Sequence, residues 1–256
     1  MRPNKPKVSV IMSVYNDHLH LRQAINSIIN QSFKNFEFII VDDYSNKKTK
    51  KILKNFNNKK FIKIIKNKKN LGLARSLNLA IKRSKGEYIA RIDADDYSYK
   101  SRLKEQLVCF KRNSNLSILG SNAIIYDKSK NSKKTKLPLT NNDIIKSLLY
   151  KNPLMHSSIM FKKIFIKQIG GYNEDYLRCQ DYELWLRARK EFEFKNLGKA
   201  LIFYRTKNDF SFKSLFYTLT AISKYVLFSK NVIYGFYGLI ISILKFLKIK
   251  TTNIFY

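Results

Sequence analysis

The chain has 256 residues, of which 45% are hydrophobic and 14% aromatic, which suits one large α/β domain or two small ones with a substantial core. This composition excludes a wholly disordered protein. The formal net charge of +32 favours nucleic acid, anionic lipid or a polyphosphate-bearing substrate as a partner. Lysine, asparagine and isoleucine are all abundant, however, and an AT-rich genome produces that mixture in any protein.

Cysteine usage and hydrophobic runs indicate the compartment. Cys109 and Cys179 are too few for a disulfide framework, and no Cys/His cluster has zinc spacing, so we expect a reducing cytoplasm. The N-terminus has no long apolar region before a small-residue cleavage site, so we predict no secretory signal. The longest uncharged apolar run, at residues 232–244, is too short to span a membrane.

The first half of the chain alternates apolar runs with segments of helical spacing. Strands are predicted at residues 8–14, 36–41, 61–65, 88–92 and 117–125. Helices are predicted at residues 19–29, 71–81 and 102–110. Alternation of this kind predicts βαβ units and a largely parallel sheet with helices on both faces.

The second half is less regular. Residues 127–142 are polar and poorly periodic, which predicts a loop or a hinge between two halves. A helix near 143–150, a strand near 157–161 and a helix near 180–190 follow. From residue 210 onward the chain is apolar and aromatic with scattered lysines, and we expect long helices there.

The scarce acidic residues are the most informative chemical signal. Five of the 18 form two tight clusters, Asp42 with Asp43 and Asp93 with Asp95 and Asp96, each directly after an apolar strand. Ligands of open α/β sheets bind beyond the carboxyl ends of strands. The second cluster has the form D-x-D, whose oxygen ligands suit Mg²⁺ or Mn²⁺ bridging to substrate phosphates. Aspartate is also a common turn and N-cap residue after a strand, and that simpler interpretation stays open.

Two other enzyme classes fit poorly. No G-x-G-x-x-G follows the first strand, and a dinucleotide site needs those glycines for close approach to the pyrophosphate. A haloacid-dehalogenase-like phosphoryl-transfer enzyme also carries D-x-D, but after its first strand and before Thr or Val. Here the motif follows a later strand and precedes Asp96 and Tyr97.

Taken in order, seven motifs resemble the family 2 glycosyltransferases, and the resemblance covers roughly residues 7–205. They are VSVIMSVYN at 8–16, IIVDDYS at 39–45, NLGLAR at 70–75 with Asn78, GEYI at 86–89 leading into DADD at 93–96, HSS at 156–158, GGYNE at 170–174 and QDYELWLR at 180–187. The implied fold is GT-A, a Rossmann-like, mixed, mostly parallel sheet flanked by helices, with a C-terminal helical extension. The implied organisation is a nucleotide-sugar-binding half at 1–126, an acceptor-binding half of the same domain at 127–209, and a helical tail at 210–256.

The resemblance implies roles for four residues at the nucleotide. Asp43 matches the carboxylate that accepts a hydrogen bond from the base N3–H, and Ser13 and Tyr15 match residues that line the nucleotide pocket. Arg75 lies near the nucleotide in some relatives. Because Tyr15 is able to stack on a pyrimidine beside Asp43, we expect a uridine-based donor rather than a guanosine-based one.

The resemblance also assigns the reacting groups of an inverting transfer. Asp95 matches the ligand of Mg²⁺ or Mn²⁺, which stabilises the leaving diphosphate, and Asp93 matches the carboxylate at the ribose or behind the metal ligand. Asp181 matches the base that takes the proton from the acceptor hydroxyl. On the residues alone, Asp181 is equally an N-cap of the following helix.

Two further positions are candidates for contact with a phosphate or the metal. His156 opens a segment that lines it in the resemblance, where it would meet a phosphate or the metal, although a lone histidine is more often structural. Residues 205–207 read Arg-Thr-Lys where many relatives have Arg-x-His, so a histidine contact at that place is absent here. Lysine would still meet a diphosphate as a point charge.

The implied function is transfer of a sugar to a glycan or lipid-linked glycan in cell-surface polysaccharide or lipopolysaccharide synthesis. Residues 215–256 carry no acid, and they carry lysines with interfacial aromatics at Tyr225, Phe228, Tyr234, Phe236 and Tyr237. Such helices lie on anionic membrane surfaces, which predicts a cytoplasmic protein held peripherally at the inner membrane. The alternative is a helix packed on the catalytic domain or in a dimer.

A basic nucleic-acid-binding protein without catalytic activity is the competing function. Residues 47–69 hold eleven lysines and no acid, and basic tracts of this kind dominate such binding electrostatically. The tract has no arginine, however, and its apolar residues fit a strand, so we expect no specific nucleic acid partner.

Overall fold

The computed structural model describes residues 5–126, 132–205, 212–227, 236, 239–240 and 242–244. Within these residues nine strands form one sheet. They are β1 (Val8–Val14), β2 (Phe36–Asp42), β3 (Ile62–Lys66), β4 (Tyr88–Arg91), β5 (Tyr97–Ser98), β6 (Leu116–Tyr126), β7 (Ser132–Lys134), β8 (Met160–Lys162) and β9 (Glu193–Arg205). The α-helices are α1 (Leu21–Ile29), α2 (Lys47–Lys54), α3 (Leu73–Arg83), α4 (Arg102–Arg112), α5 (Asn141–Leu148), α6 (Lys163–Gln168), α7 (Gln180–Ala188) and α8 (Phe212–Ile222).

The strand order is β3-β2-β1-β4-β8-β6-β9-β5, with β7 beside β6. The β1–β2, β1–β4 and β2–β3 pairs are parallel, as the alternation of the first half predicts. β8 then runs antiparallel between β4 and β6, and β9 pairs parallel with β6 and antiparallel with β5. The result is a mixed α/β sheet in which the carboxyl ends of β1, β2 and β4 meet at one edge.

The two faces of the sheet bury separate cores, because successive side chains of a strand point to opposite faces. In β2, Phe38 and Ile40 pack with α1, α2 and α4, whereas Ile39 and Val41 pack with α3 and α5 to α7. All four side chains are fully buried. Each such side chain contributes about 1.5–3 kcal/mol through its burial, which explains why these strands are continuous apolar runs.

Several predicted elements need correction. The basic tract 47–69 contains α2, which was not predicted, because five of its eight residues are lysines and only Thr49 and Leu53 are buried. Asn46 begins this helix by accepting from the Thr49 N–H at 3.0 Å. The predicted loop 127–142 contains β7, and α5 already begins at residue 141.

Two elements of the second half also differ from the prediction. The strand expected near 157–161 begins only at Met160, because His156–Ser158 form a 3₁₀ turn. The long strand β9 was not predicted, since the exposed residues Gly198 and Lys199 interrupt its apolar residues. The helix α6 was likewise missed.

Helix α8 of the C-terminal tail packs on α7. α8 continues into a π-helical turn at Ser223–Leu227, and Ala221 and Ile222 are fully buried in the core on the α7 side. For α8, the alternative of a helix packed on the domain is therefore confirmed. Phe228, Tyr234 and Tyr237 lie outside the described residues. Of the helices that the structure describes, none is long and apolar enough to cross a bilayer.

Candidate active site

The ends of β1 and β2 are tied together at the edge where the acids lie. The Asp43 N–H donates to the Val14 carbonyl at 2.9 Å. The Asn46 N–H donates to Asn16 Oδ1 at 2.8 Å, and the Asn16 N–H donates to Ser45 Oγ at 3.1 Å. The loops that follow the two strands therefore form one hydrogen-bonded unit.

Asp43 is the centre of the expected nucleotide pocket and is 2% exposed. Its Oδ1 accepts from the Leu71 N–H at 2.8 Å and from Asn67 Nδ2 at 2.7 Å, and its Oδ2 accepts from the Gly72 N–H at 2.9 Å. Gly72 has φ of 87°, a conformation that favours glycine. An ionised carboxylate offers about four acceptor positions, so these three donors leave about one for a ligand N–H.

The other residues expected at the nucleotide differ in exposure and in their contacts. Tyr15, at the end of β1, is 55% exposed, and Ser13 is partly buried one pleat earlier. Arg75 lies on α3, where its Nε is 3.2 Å from Glu174 Oε2. The structure thus places Ser13, Tyr15 and Asp43 at one strand edge and pairs Arg75 with the GGYNE segment.

The D-x-D cluster directly follows β4. Carboxylate oxygens of Asp93, Asp95 and Asp96 lie within 4.8 Å of one another. Asp96 is 2% exposed; its Oδ1 accepts from the Arg205 N–H at 2.9 Å, and its Oδ2 is buried without a hydrogen-bond partner. Burial, together with the charges of Asp93 and then Asp95, raises the pKa of Asp96 to about 7. An orphaned carboxylate oxygen beside two more carboxylates fits a divalent cation.

A buried arginine lies between the D-x-D cluster and the expected base. Arg91 is 2% exposed, its guanidinium forms an ion pair with Asp93, and its Nε and Nη1 have no hydrogen-bond partner. Burial lowers the pKa of Arg91, but Asp93, Tyr172, Asp96 and Asp181 raise it more, so the net shift is upward and the group stays charged. Arg91 is not among the residues predicted from the motifs, although a charged residue inside an apolar strand just before D-x-D is a visible signal.

A second buried arginine supports this strand end. Arg102 is fully buried, and its Nη2 donates to the Arg91 carbonyl at 2.7 Å and to the Ile159 carbonyl at 3.0 Å. Burial, together with the positive charge of Arg91, lowers the pKa of Arg102 to about 9. The two arginines fix β4 against the turn that begins with His156.

Asp181 occupies the second position of α7. The N-cap of this helix is Cys179 in a left-handed conformation with φ of 55°, so the interpretation of Asp181 as the N-cap is wrong. Asp181 Oδ2 accepts from Asn152 Nδ2 at 2.8 Å. Burial raises the pKa of Asp181, against the opposing effects of the Tyr182 N–H and the charge of Arg91. A raised pKa brings a carboxylate closer to the value suited to a general base.

His156 contacts the aromatic side chains of Tyr172 and Trp185, and it lies close enough to Arg91 to be affected by its charge. Its Nε2 is 2.8 Å from Tyr172 Oη, and its ring lies 5.5 Å from the Tyr172 ring and 6.3 Å from the Trp185 ring. Burial, followed by the charge of Arg91, lowers the pKa of His156 well below its usual value, so the imidazole is neutral.

Arg205, the last residue of β9, closes the acidic side. Its Nε donates to the Asp95 carbonyl at 2.9 Å, and its Nη2 donates to Gln23 Oε1 at 2.8 Å. Thr206 and Lys207, which complete the unusual Arg-Thr-Lys sequence, lie outside the described residues. The contact of Arg205 with the D-x-D segment was not predicted from the sequence.

A Rossmann-like mixed sheet with an acidic D-x-D cluster at its carboxyl edge defines a GT-A enzyme. Residues 9–169 match the family described as glycosyl transferase family 2. The chain is 34% identical over 211 residues to an uncharacterised glycosyltransferase of Methanocaldococcus jannaschii, covering 80% of this chain and 72% of that protein. This chain belongs to glycosyl transferase family 2, and the resemblance drawn from the motifs is confirmed.

Two further comparisons extend this result. The O-antigen biosynthesis glycosyltransferase WbnJ of Escherichia coli is 32% identical over 216 residues, covering 81% of this chain and 82% of that protein. The crystal structure of S. aureus TarS 1-349 in complex with UDP-GlcNAc matches with a TM-score of 0.71 at 20% identity, covering 89% of this chain and 69% of that one. The likeness to TarS confirms the GT-A fold.

The raised pKa of Asp96 predicts a pH-dependent stability of the metal-free protein. Between its ordinary value of 3.8 and about 7, the folded chain holds a proton that the unfolded chain has lost, so the unfolding free energy falls as pH rises through this interval. We expect metal-free wild type to lose about 2 kcal/mol more than Asp96→Asn between pH 5 and pH 8. Urea denaturation in chelator measures the difference.

The matched control for this experiment is Asp175→Asn, which changes an exposed carboxyl. Added Mn²⁺ should reduce the pH dependence of wild type, because a dication offsets the repulsion among the three carboxylates. Identical pH dependence in wild type and Asp96→Asn would contradict the assignment.

Proposed function

We propose that this chain is an inverting glycosyltransferase that moves a sugar from a UDP-sugar to an acceptor hydroxyl. The observation that carries the proposal is the juxtaposition, around buried Arg91, of the D-x-D cluster and the carboxylate of Asp181, both of which act on its pKa. A transfer with inversion needs one carboxylate as base on the acceptor and positive charge at the leaving diphosphate. A retaining glycosidase would instead need a pair of catalytic carboxyl groups.

The donor is assigned to the edge formed by β1 and β2. Asp43 has about one acceptor position left beside its three internal donors, which suits the single N3–H of uracil. The exposed ring of Tyr15 supplies a stacking surface beside it, with Ser13 below and Arg75 on the neighbouring helix. TarS, which shares the fold, binds UDP-GlcNAc in its crystal structure, and that supports a UDP-linked donor here.

The D-x-D residues are assigned to a divalent cation, Mg²⁺ or Mn²⁺. Asp95 is assigned as the metal ligand, and Asp93, which forms an ion pair with Arg91, is assigned to the ribose or to the back of the metal site. Bound there, the cation acts as a Lewis acid for the leaving diphosphate. Arg205 holds the backbone of the motif through the Asp95 carbonyl and the Asp96 carboxylate, so the three acids keep a fixed spacing.

Asp181 is assigned as the base that removes the proton from the acceptor hydroxyl. Its carboxylate projects from a helix, a rigid support that holds reacting groups more precisely than a loop does. Asn152 donates to Oδ2 of this carboxylate at 2.8 Å and the Tyr182 N–H also hydrogen-bonds to it, so its orientation is fixed before the acceptor binds. The neutral imidazole of His156 lies on the acceptor side, hydrogen-bonded to Tyr172, where it is available to a substrate phosphate.

The acceptor is a glycan or lipid-linked glycan of a surface polysaccharide, bound by residues 127–209, while residues 1–126 bind the donor. WbnJ acts in O-antigen biosynthesis, which supports this substrate class. A lipid-linked acceptor places the enzyme at the cytoplasmic face of a membrane. The competing nucleic-acid function uses the lysines of 47–69, which are all exposed, but it gives no role to the D-x-D cluster or to Asp181.

Donor binding should require both the metal and Asp95. Asp95→Ala removes the proposed metal ligand, so calorimetric titration with UDP should show loss of the Mn²⁺-dependent binding while the melting temperature stays close to wild type. Transfer, measured as nucleotide release over a panel of donor sugars, should also be lost. Full activity of Asp95→Ala or of wild type in excess chelator would refute the metal role, and tighter binding of GDP than of UDP would refute the uridine assignment.

Asp181→Asn should abolish the chemical step and leave donor binding intact. The amide preserves the shape and the contact with Asn152 but no longer accepts a proton, so turnover should fall by roughly 10²-fold or more. The affinity for UDP with Mn²⁺ should change by less than about twofold, because Asp43 and Asp95 lie on other elements. Normal turnover of this variant would remove Asp181 from the mechanism.

Binding to an anionic membrane is assigned to the exposed apolar face of the tail. Phe236, Ile240 and Leu244 recur at four-residue spacing and are 55–59% exposed, whereas Leu239 packs against the core. Sedimentation with phosphatidylglycerol vesicles should capture wild type, and Phe236→Ser combined with Ile240→Ser should weaken capture about tenfold. Ile164→Ser, an exposed isoleucine on α6, is the control.

Two results would contradict the membrane assignment. Equal capture of wild type and the double variant would show that this apolar face is not used. Salt-sensitive retention of a DNA duplex, without binding to vesicles, would favour the nucleic-acid function instead.

A further inference from the structure

The first turn of α7, which carries Asp181, has no side-chain cap of its own. Its N-cap residue, Cys179, is a non-glycine residue with φ of 55°, an unfavourable conformation that persists only where neighbouring groups hold it. Cys179 Sγ lies 3.3 Å from Thr218 Oγ1 and 3.6 Å from the Ser214 carbonyl, both on α8. The start of α7 is therefore held from outside, by the C-terminal segment.

A second anchor lies two residues after Asp181. Glu183 is fully buried, and Arg187 donates to both of its oxygens, through Nε at 2.9 Å and Nη2 at 3.0 Å. Tyr225, in the π-helical turn after α8, donates its hydroxyl to Glu183 Oε1 at 2.7 Å. A buried carboxylate needs all of its partners, because each lost donor leaves charge that is poorly compensated.

Arg187 also contacts the loop at residues 169–171, which precedes Tyr172. It donates to the carbonyl of Ile169 and, at 2.8 Å, to the carbonyl of Gly171. Gly171 directly precedes Tyr172, whose hydroxyl is hydrogen-bonded to His156. Arg189 donates to the backbone carbonyl of Tyr225. Tyr225 thus contacts α7 through its side chain and Arg189, the residue that ends this helix, through its backbone carbonyl. Arg187 of α7 in turn binds the GGYNE segment at Gly171.

We propose that Tyr225 is a positioning residue for Asp181, through the hydrogen bond to Glu183 that sets the orientation of α7. This inference rests on the proposed role of Asp181 as the base. A helix moves as a rigid element, so a small tilt at Glu183 displaces the carboxylate two residues earlier. A displacement of about 1 Å at a reacting group lowers a rate by roughly 10²-fold.

A positioning role for Tyr225 predicts that its loss lowers turnover but does not change donor affinity. The donor residues Asp43 and Asp95 follow β2 and β4, whereas α8 packs on α7. Loss of the Tyr225 hydroxyl should therefore leave the affinity for the donor unchanged and lower turnover. A purely stabilising contact would lower the melting temperature and leave turnover of the folded protein unchanged.

The experiment compares Tyr225→Phe with Tyr217→Phe, a matched removal of a hydroxyl on α8 that keeps the ring contact with Tyr176. With a UDP-sugar as probe, kcat for UDP release should fall about tenfold in Tyr225→Phe, with the Kd for UDP and Mn²⁺ within twofold of wild type. Tyr217→Phe should match wild type in both. Thr218→Val, which removes the hydroxyl at Cys179 without changing volume, should show the same split more weakly.

Hydrogen exchange provides a readout that needs no substrate. In Tyr225→Phe, amides of the peptide that contains residues 180–184 should exchange at least several-fold faster than in wild type, whereas peptides of β1 and β2 should not change. Unchanged exchange in this peptide, or unchanged kcat, would overturn the positioning role. A joint loss of donor affinity and melting temperature would also overturn it.

Asp181→Asn, measured in parallel, separates the two proposals. If Asp181→Asn loses turnover while Tyr225→Phe keeps it, the positioning role fails and the base survives. If Asp181→Asn turns over normally, the base assignment fails, and the positioning role fails with it.

Discussion

The buried positive charge of Arg91 is the constraint on which the acidic site depends. Three carboxylates crowd the end of β4 and Asp181 approaches from α7, so without a cation inside the protein their mutual repulsion would oppose folding. A guanidinium removed from water is itself costly and persists only when charges of opposite sign surround it. Arg91 and the carboxylates therefore stabilise one another. Removal of either would leave buried charge without a partner of opposite sign and destabilise the fold.

This interdependence explains the second arginine. Arg102 donates to the carbonyl of Arg91 and to that of Ile159, so the backbone that carries Arg91 cannot shift. The carboxylates are consequently spaced before any substrate arrives. Because these groups are already in place, little reorganisation of the site is needed when charge develops during a reaction.

The elements found from the sequence are those whose burial gives them a regular pattern. β1, β2 and β4 are apolar runs covered on both faces, and α1 and α3 have buried residues at helical spacing. α2 was hidden because charge dominates its composition, and only its inner face and its Asn46 cap define it. β9 could not be predicted because exposed Gly198 and Lys199 interrupt its apolar residues, at the place where its pairing with β6 shifts register.

The site divides in the same way. Asp43, Asp93, Asp95 and Asp96 were found because acids are scarce in this chain and follow strands, and Asp181 came from the resemblance. The partners Asn152, Arg205 and Tyr225 lie 29, 110 and 42 residues along the chain from the groups they contact, and no local pattern announces such pairs. Arg91 is visible in the sequence as a charged residue in an apolar strand, but its role depends on the charge of Asp181, which only the fold brings to it from α7.

The strand order carries a consequence for engineering. From β4 the order is β8, β6, β9 and β5, so strands from before and after residue 127 alternate across the sheet. β8 and β9, two of the three strands of the later segment, are each hydrogen-bonded on both sides to strands of the earlier one. Neither segment is a module that can be exchanged between enzymes, because a foreign second segment would have to reproduce four strand interfaces at once. To change the acceptor specificity, individual loops are accordingly better exchanged while all strands of the sheet are kept.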